Sequence, residues 1–188
     1  MGIDLLVRYP WLGFLAWAAL FLADFGLTLR GATEAARVSE QVGFEGSYEL
    51  NPLHAPAIDA RRRLPARVGL LLVLGAALIA LTWYVTETVG GLRWFLEFVV
   101  GSLVCLHVPL ILRHLSNLAL FRVLQRGDAV EGSIRYRRWA LLRLSSVGAM
   151  LWAGVFGFVA LLAWRVFFVG GILACLVMTA SQARLSRA

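Results

Sequence analysis

Two ionisable residues lie inside apolar segments of this chain. Asp24 falls towards the end of the first apolar segment, and His107 falls towards the end of the third. Ionisable side chains within a membrane are costly and usually mark a functional site. At 1.5 Å per residue, each lies roughly 10 Å short of the same face of the membrane. We therefore expect Asp24 and His107 to share a depth and to face each other.

A second set of polar residues lies nearer that membrane face. Its members are Thr28, Arg113, His114 and Asn117. Thr28 lies one helical turn after Asp24 on the same face of its helix. His107 and His114 lie on one helical stripe but about 10 Å apart along the axis, which predicts that they cannot ligate the same ion. A metal would therefore need ligands from several segments.

The loop after the first apolar segment supplies a carboxylate, an amide and an imidazole within residues 49–54, ELNPLH. Carboxylate and imidazole groups ligate divalent ions such as zinc or manganese. If the loop folds back under the bundle, Glu49 and His54 meet His114, with Asp24 or His107 reaching from above. This geometry is our hypothesis for a divalent-metal site, in which Glu49 or Asp24 is the base that activates a metal-bound water.

Structural explanations stay open for both groups. Asp24 and His107 also fit a buried pair that only fixes the register of two helices. Residues 49–54 also fit an interfacial turn, in which Asn51 caps and Pro52 starts a short helix.

Composition places the whole chain in the membrane. Its 188 residues are 60% hydrophobic and include seven Trp, and the mean hydropathy is +0.77. The net charge of +7 comes from Arg alone, without the basic and aromatic interleaving that nucleic-acid binding requires. We expect no nucleic-acid partner. Cys105 and Cys175 lack the paired spacing of metal or redox motifs, so we expect them to serve packing.

Segment lengths predict five membrane spans. About 20 apolar residues cross a hydrocarbon core of about 30 Å. The spans are predicted near 10–29, 64–86, 92–112, 140–163 and 166–182, and the third continues as a helix towards Gln125. The last two form a hairpin with its turn at Trp164 and Arg165. A turn at Gly170 and Gly171 is the alternative, which leaves four spans because the final segment becomes too short to cross.

Arginine distribution predicts the orientation of the chain. Fifteen arginines fall on one side of the predicted spans, and only Arg8, Arg93 and Arg165 fall on the other. Basic residues are retained on the cytoplasmic side, so the N-terminus is expected outside and the C-terminus inside. Residues 31–63 and 113–138 then form cytoplasmic loops of a single domain, 1–188, in a bacterial or archaeal cytoplasmic membrane. The expected partners are the lipid bilayer and anionic lipid head groups.

Small residues are expected where the spans pack against each other, because they let helix backbones approach closely. The residues assigned to this packing are Gly69, Gly75, Gly148, Gly154, Gly157 and Ala174.

Part of the polar pattern resembles a known family. Asp24-x3-Thr28, followed across a loop by Glu49-x-Asn51-Pro52, resembles an uncharacterised family of small prokaryotic multi-span membrane proteins with an Asp-x3-Thr and Glu-x-Asn-Pro signature. The resemblance covers about the first third of the chain. In that family the two elements stand closer together than they do here. The resemblance implies a multi-span membrane fold and brings no activity with it.

A second stretch, HVPLILRHL from His107 to Leu115, is similar to the His-x3-Gly-x-Arg-His stretch of succinate dehydrogenase cytochrome b anchors. In those anchors the first His ligates haem, so the resemblance implies His107 as an axial ligand. Ile111 stands where that family has Gly, and the anchors have three spans. We therefore do not expect haem here.

Taken together, these residues predict an inner-membrane protein with a polar site at its cytoplasmic face that acts on or senses a membrane-soluble ligand. Metalloprotease, serine-hydrolase and phosphate-loop motifs are absent from the sequence, so whether it is an enzyme stays open. The alternatives are a non-catalytic subunit docked to other membrane subunits, or a proton-coupled transporter.

Overall fold

The chain folds as an all-α membrane helix bundle, as predicted. The computed structural model describes residues 2–52, 54–61, 65–126 and 131–187. Its helices and strands are α1 (Gly2–Arg8), α2 (Pro10–Arg37), β1 (Val42–Phe44), α3 (Ala55–Asp59), α4 (Ala66–Val89), α5 (Arg93–Leu124), β2 (Ile134–Tyr136), α6 (Arg138–Ala163) and α7 (Val166–Leu185). Five of them, α2, α4, α5, α6 and α7, are long and apolar enough to cross a membrane.

Two helices continue well past the predicted ends of their spans. α2 runs to Arg37 rather than stopping near residue 29, and α5 runs to Leu124. α2 therefore extends as a helix into the predicted loop that begins at residue 31, whereas the predicted helical continuation of the third span towards Gln125 is confirmed. Alanines favour the extra turns of α2, and Glu34 pairs with Arg37 at 3.0 Å one turn later. The predicted start of the second span at residue 64, together with Arg62 and Arg63, lies outside the described residues.

The hairpin between α6 and α7 turns where the sequence predicted. α6 ends at Ala163, Trp164 adopts a left-handed conformation with φ of 50°, and α7 begins at Val166. The alternative turn at Gly170 and Gly171 is wrong, because both residues lie within α7 and are buried. A β-carbon on Gly170 would overlap the backbone of α5 at Phe98. These glycines therefore provide close packing instead of a turn.

Close approach between helices uses partly different glycines from those predicted. The predicted packing role of Gly75 is confirmed, since the ring of Trp17 fills the space that a β-carbon would need. The same prediction is wrong for Gly69, Gly148 and Gly154, because a β-carbon on any of them would meet nothing within 4 Å. The closest contact is instead at Gly101, where the carbonyl group of Phe167 in α7 leaves no room for a side chain. Sequence alone does not tell which face of each helix meets a neighbour.

The two ends of the bundle differ in charge. We call the end that carries Arg37, Arg122 and Arg184 the arginine-rich end, and the opposite end, at Arg165, the arginine-poor end. The strands lie at the arginine-rich end, where Val42 pairs with Ile134 in a parallel ribbon. A buried apolar cluster supports this ribbon; its members are Ala35, Val38, Val42, Phe121 and Leu124, with Phe44, Tyr48 and Tyr136 packed against them. The cluster holds the loop after β1 against the bundle.

Arg165 ties three helices together at the arginine-poor end. Its Nε donates to Glu97 of α5 at 2.8 Å, and one terminal nitrogen donates to Asp4 of α1 at 2.8 Å. Glu97 also accepts the backbone N–H of Phe167 in α7 at 3.2 Å. Asp4 raises the pKa of Arg165, and Arg165 in turn lowers the pKa of Asp4 below its ordinary value of 3.8.

We expect acid to weaken this tie through Asp4. Because the pKa of Asp4 is lower in the folded chain, the stabilisation is present above the ordinary value of 3.8 and is lost as the pH falls through the lowered pKa. The melting temperature of the detergent-solubilised protein should therefore fall more steeply between pH 6 and pH 3 for the wild type than for Asp4→Asn. Asp59→Asn, at an exposed acid of α3, serves as the control and should follow the wild-type profile. Identical acid profiles for Asp4→Asn and the wild type would contradict this assignment.

Candidate functional site

Asp24 lies between two imidazoles inside the bundle. Its Oδ2 is 3.3 Å from Nδ1 of His107, and its Oδ1 is 3.3 Å from Nε2 of His114. The Asp24 side chain is only 16% exposed, and both histidines are buried. The predicted pairing of Asp24 with His107 is present. Since a carboxylate accepts hydrogen bonds, Nδ1 of His107 is the donor to Oδ2.

His114 reaches the same carboxylate although it lies two turns further along α5 than His107. The spacing argument concerned a single ion, whereas a carboxylate has two oxygens, and each oxygen faces one ring. The side chains converge because α2 lies beside α5 at this depth. The structure therefore forms a three-residue cluster where the sequence predicted a pair and a separate second layer.

Thr28 fixes which nitrogen of His114 carries a proton. Its hydroxyl donates to the backbone carbonyl of Asp24 at 2.9 Å, and its oxygen lies 3.0 Å from Nε2 of His114. With the hydroxyl hydrogen already used, Nε2 of His114 must donate to Thr28. That N–H points at Thr28, so Oδ1 of Asp24 has no aligned hydrogen bond. In neutral His114, the other nitrogen, Nδ1, is then an acceptor.

Tyr48 belongs to the same polar region, although the sequence analysis did not select it. Its ring lies 6.4 Å from that of His114, and its hydroxyl accepts a hydrogen bond from Asn117 at 3.3 Å. Burial raises the pKa of Tyr48, although Asn117 and Arg113 act in the opposite direction. The phenol therefore stays protonated at neutral pH. Tyr48 joins the site by packing against Gly31, which is distant in the sequence. No local sequence motif predicts that contact.

The loop at residues 49–54 forms a local turn at the arginine-rich end. Glu49 accepts the backbone N–H of Asn51 at 2.7 Å, and the carbonyl of Asn51 accepts the N–H of His54 at 3.0 Å. A short helix follows, as the structural alternative proposed, but it begins at Ala55 rather than at Pro52. The ring of His54 packs 6.5 Å from Phe25 of α2. The loop does fold back under the bundle.

The predicted metal ligands do not form one ligand group. Within the described residues, no set of three or more His, Cys, Asp and Glu side chains is arranged to hold a metal ion. Glu49 is engaged with its own turn, and His54 packs on Phe25, while Asp24 and His114 contact each other. The geometry therefore does not support the metal hypothesis.

A cavity of about 1080 Å³ opens beside this cluster. Polar and charged residues from α2, the loop, α5 and α7 line it; they are Asp24, Thr28, Glu49, Asn51, His54, His107, Arg113, His114, Ser181, Gln182 and Arg184. The rest of the lining is mainly aromatic and aliphatic, including Trp17, Phe21 and Val177. The cavity therefore has a polar region set within apolar walls.

Comparison with protein-family models, with curated proteins and with solved structures finds no match to this chain. The candidate site is therefore argued from its geometry. Both halves of the Asp-x3-Thr and Glu-x-Asn-Pro pattern line the one cavity, through Asp24, Thr28, Glu49, Asn51 and Pro52. The family resemblance stays a prediction. The structure brings the two halves of the pattern together at this cavity.

Four buried polar atoms have no hydrogen-bond partner within the described residues, and all four belong to residues that line this cavity. They are Oδ1 of Asp24, Nδ1 of His54, Nδ1 of His114 and Oε1 of Gln182. Buried polar groups are normally hydrogen-bonded, because leaving one unsatisfied costs about 1–3 kcal/mol. All four residues line one cavity, so a polar group of a molecule bound there would lie next to these atoms.

Cys105 and Cys175 play no part in the site. Both are buried free thiols in the apolar core between α5 and α7. Their predicted role in packing is confirmed.

Proposed function

We propose that this multi-pass membrane protein binds a membrane-soluble amphiphile whose polar head donates hydrogen bonds to the Asp24 cluster. The observation that carries the proposal is that four buried polar atoms without partners in the described residues belong to residues that line one cavity. Two of them, Oδ1 of Asp24 and Oε1 of Gln182, are oxygen acceptors. A third, Nδ1 of His114, accepts in the neutral ring because its Nε2 donates to Thr28.

The chemistry of these atoms defines the head group. Hydroxyl and ammonium groups donate hydrogen bonds, and an ammonium would also be attracted to the Asp24 carboxylate. The apolar walls of the cavity suit a hydrocarbon tail, which matches a ligand that arrives through the bilayer. Asp24 and the two imidazoles give the site groups that take up and release protons. Proton exchange with the bound head is therefore within the reach of this site.

Replacing an unsatisfied acceptor by an apolar side chain should stabilise the empty protein and weaken ligand binding. Gln182→Leu removes the buried Oε1 that lacks a partner. Apolar replacement of an unsatisfied polar group is neutral or favourable, and we expect a gain of about 1 kcal/mol. Thermal unfolding of the purified, delipidated protein measures the gain, and mass spectrometry of extracts from gently purified protein measures retention of the ligand.

Gln125→Leu is the matched control, because Gln125 donates to Glu34 at 2.7 Å and has its hydrogen bond in place. We expect it to lose a little stability and to retain the ligand. An extract in which Gln182→Leu carries the same small molecules as wild type, in the same amounts, would overturn the proposal.

The same purification separates a role as a structural subunit from ligand binding. A subunit of a larger complex would bring stoichiometric protein partners that survive Asp24→Asn. A ligand-binding protein would lose its small molecule in that variant and would keep its oligomeric state. Metal analysis of the same samples tests the divalent-metal hypothesis, and a Soret band would reveal haem at His107.

A further inference from the structure

A second cavity adjoins the Asp24 cavity and shares Glu49, Arg113 and His114 with it. It measures about 600 Å³ and lies between α5 and α6, above the β1 and β2 ribbon. Most of its walls are apolar, and its outward-facing side chains include Leu112, Leu120 and Leu144, which are 43%, 51% and 61% exposed. In a membrane, such exposure means contact with lipid tails. The cavity is therefore a groove open to the bilayer.

Arg113 is the basic residue of this groove, and it also lines the Asp24 cavity. Its guanidinium is half-buried and donates to the hydroxyl of Ser145 in α6. It makes no ion pair with any carboxylate among the described residues. A guanidinium has five N–H donors, so most of its hydrogen-bonding capacity is unused. A charged arginine within a membrane bundle normally pairs with a partner.

Two other polar groups of the groove have hydrogens available for donation. The Tyr48 hydroxyl accepts from Asn117 and keeps its own hydrogen for donation, and Ser145 also keeps its hydroxyl hydrogen. Glu49 is the one acidic side chain among the described lining residues, and its carboxylate already accepts the N–H of Asn51. The groove thus presents positive charge and free donors next to apolar walls.

We propose that this groove binds an anionic phospholipid, with its phosphate on Arg113 and Tyr48 and its acyl chains along α5 and α6. Guanidinium groups recognise phosphate oxygens through paired hydrogen bonds. Basic pockets between membrane helices are a known place for anionic head groups. The apolar walls favour a lipid over free phosphate, since free phosphate leaves them uncovered. This groove shares Arg113 and His114 with the Asp24 cavity, and the lipid proposed for it is a different molecule from the amphiphile proposed there.

Native mass spectrometry with added phosphatidylglycerol tests the proposal. Wild-type protein should retain one bound anionic lipid in preference to phosphatidylcholine. Arg113→Gln should reduce that retention about tenfold, since a hydrogen bond to a charged group is lost. Arg143→Gln is the control: it removes an exposed arginine from the same end of α6 and should bind as wild type does.

Two further variants keep the test decisive if Arg113→Gln does not fold. Arg113→Lys keeps the charge and should recover part of the retention. Leu144→Trp fills the groove without changing charge and should lower retention. Equal lipid retention by Arg113→Gln and Arg143→Gln would overturn the site. Competition by inorganic phosphate at the same concentration as the lipid would overturn the choice of a lipid ligand.

Discussion

Replacing Gly101 by alanine is expected to disrupt the contact between α5 and α7. A β-carbon at this position would overlap the backbone carbonyl of Phe167, which cannot move without displacing α7. Overpacking usually costs 1–3 kcal/mol, and we expect a loss at the upper end, about 3 kcal/mol. Gly170→Ala should act similarly, because it meets the backbone of Phe98 from the opposite helix. Unfolding in a mixed detergent titration measures the loss.

Gly154→Ala is the matched control for both substitutions. It lies in α6, where a β-carbon would meet nothing within 4 Å. Alanine is the better helix former by about 1 kcal/mol, so this variant should be as stable as wild type or slightly more stable. Equal stabilities for Gly101→Ala and Gly154→Ala would show that α5 and α7 are not in contact at this point.

Replacing Asp24 by leucine is expected to have the second large effect. The change leaves Nδ1 of His107 buried without its acceptor and removes the carboxylate beside His114, and an unsatisfied buried polar group costs about 1–3 kcal/mol. Binding of the amphiphile should be lost as well, because the carboxylate is its main acceptor. Thermal unfolding and extraction of bound small molecules report the two effects separately.

A triple variant separates stability from binding. Converting His107 and His114 to phenylalanine in the Asp24→Leu background removes every group of the cluster, and we expect much of the stability to return. The ligand should stay absent. Glu87→Leu, at an exposed acid of α4, is the control and should change neither property. A triple variant that still retains the ligand would contradict a binding role for the cluster.

The sequence predicted the features that depend on local composition. Five apolar segments of sufficient length indicated five helices, and the lone Arg165 within a long apolar stretch located the hairpin turn. The pairing of Asp24 with His107 could also be predicted from the sequence. Their equal depth followed from counting residues along two straight helices, and an ionisable side chain in hydrocarbon needs a partner.

Features that depend on how the helices turn towards each other were beyond the sequence. Gly101 and Gly154 look alike in the sequence, yet one meets a backbone carbonyl and the other meets nothing. Tyr48 joins the site through a loop whose position is set by a three-residue ribbon, too short to give a periodic pattern. His114 reaches Asp24 because the side chains of His107 and His114 converge on the carboxylate from positions two turns apart, which spacing along one helix does not reveal.

The parallel ribbon imposes an order on biogenesis. Val42 cannot pair with Ile134 until the ribosome has made α4 and α5. β1 and the loop after it, which carries Tyr48, therefore have no partner strand while those helices insert. The wall that holds Gln182 arrives later still, with the final helix. A nascent chain stalled before α7 would thus lack this wall of the cavity, although Asp24 of α2 and the imidazoles of α5 would already be made.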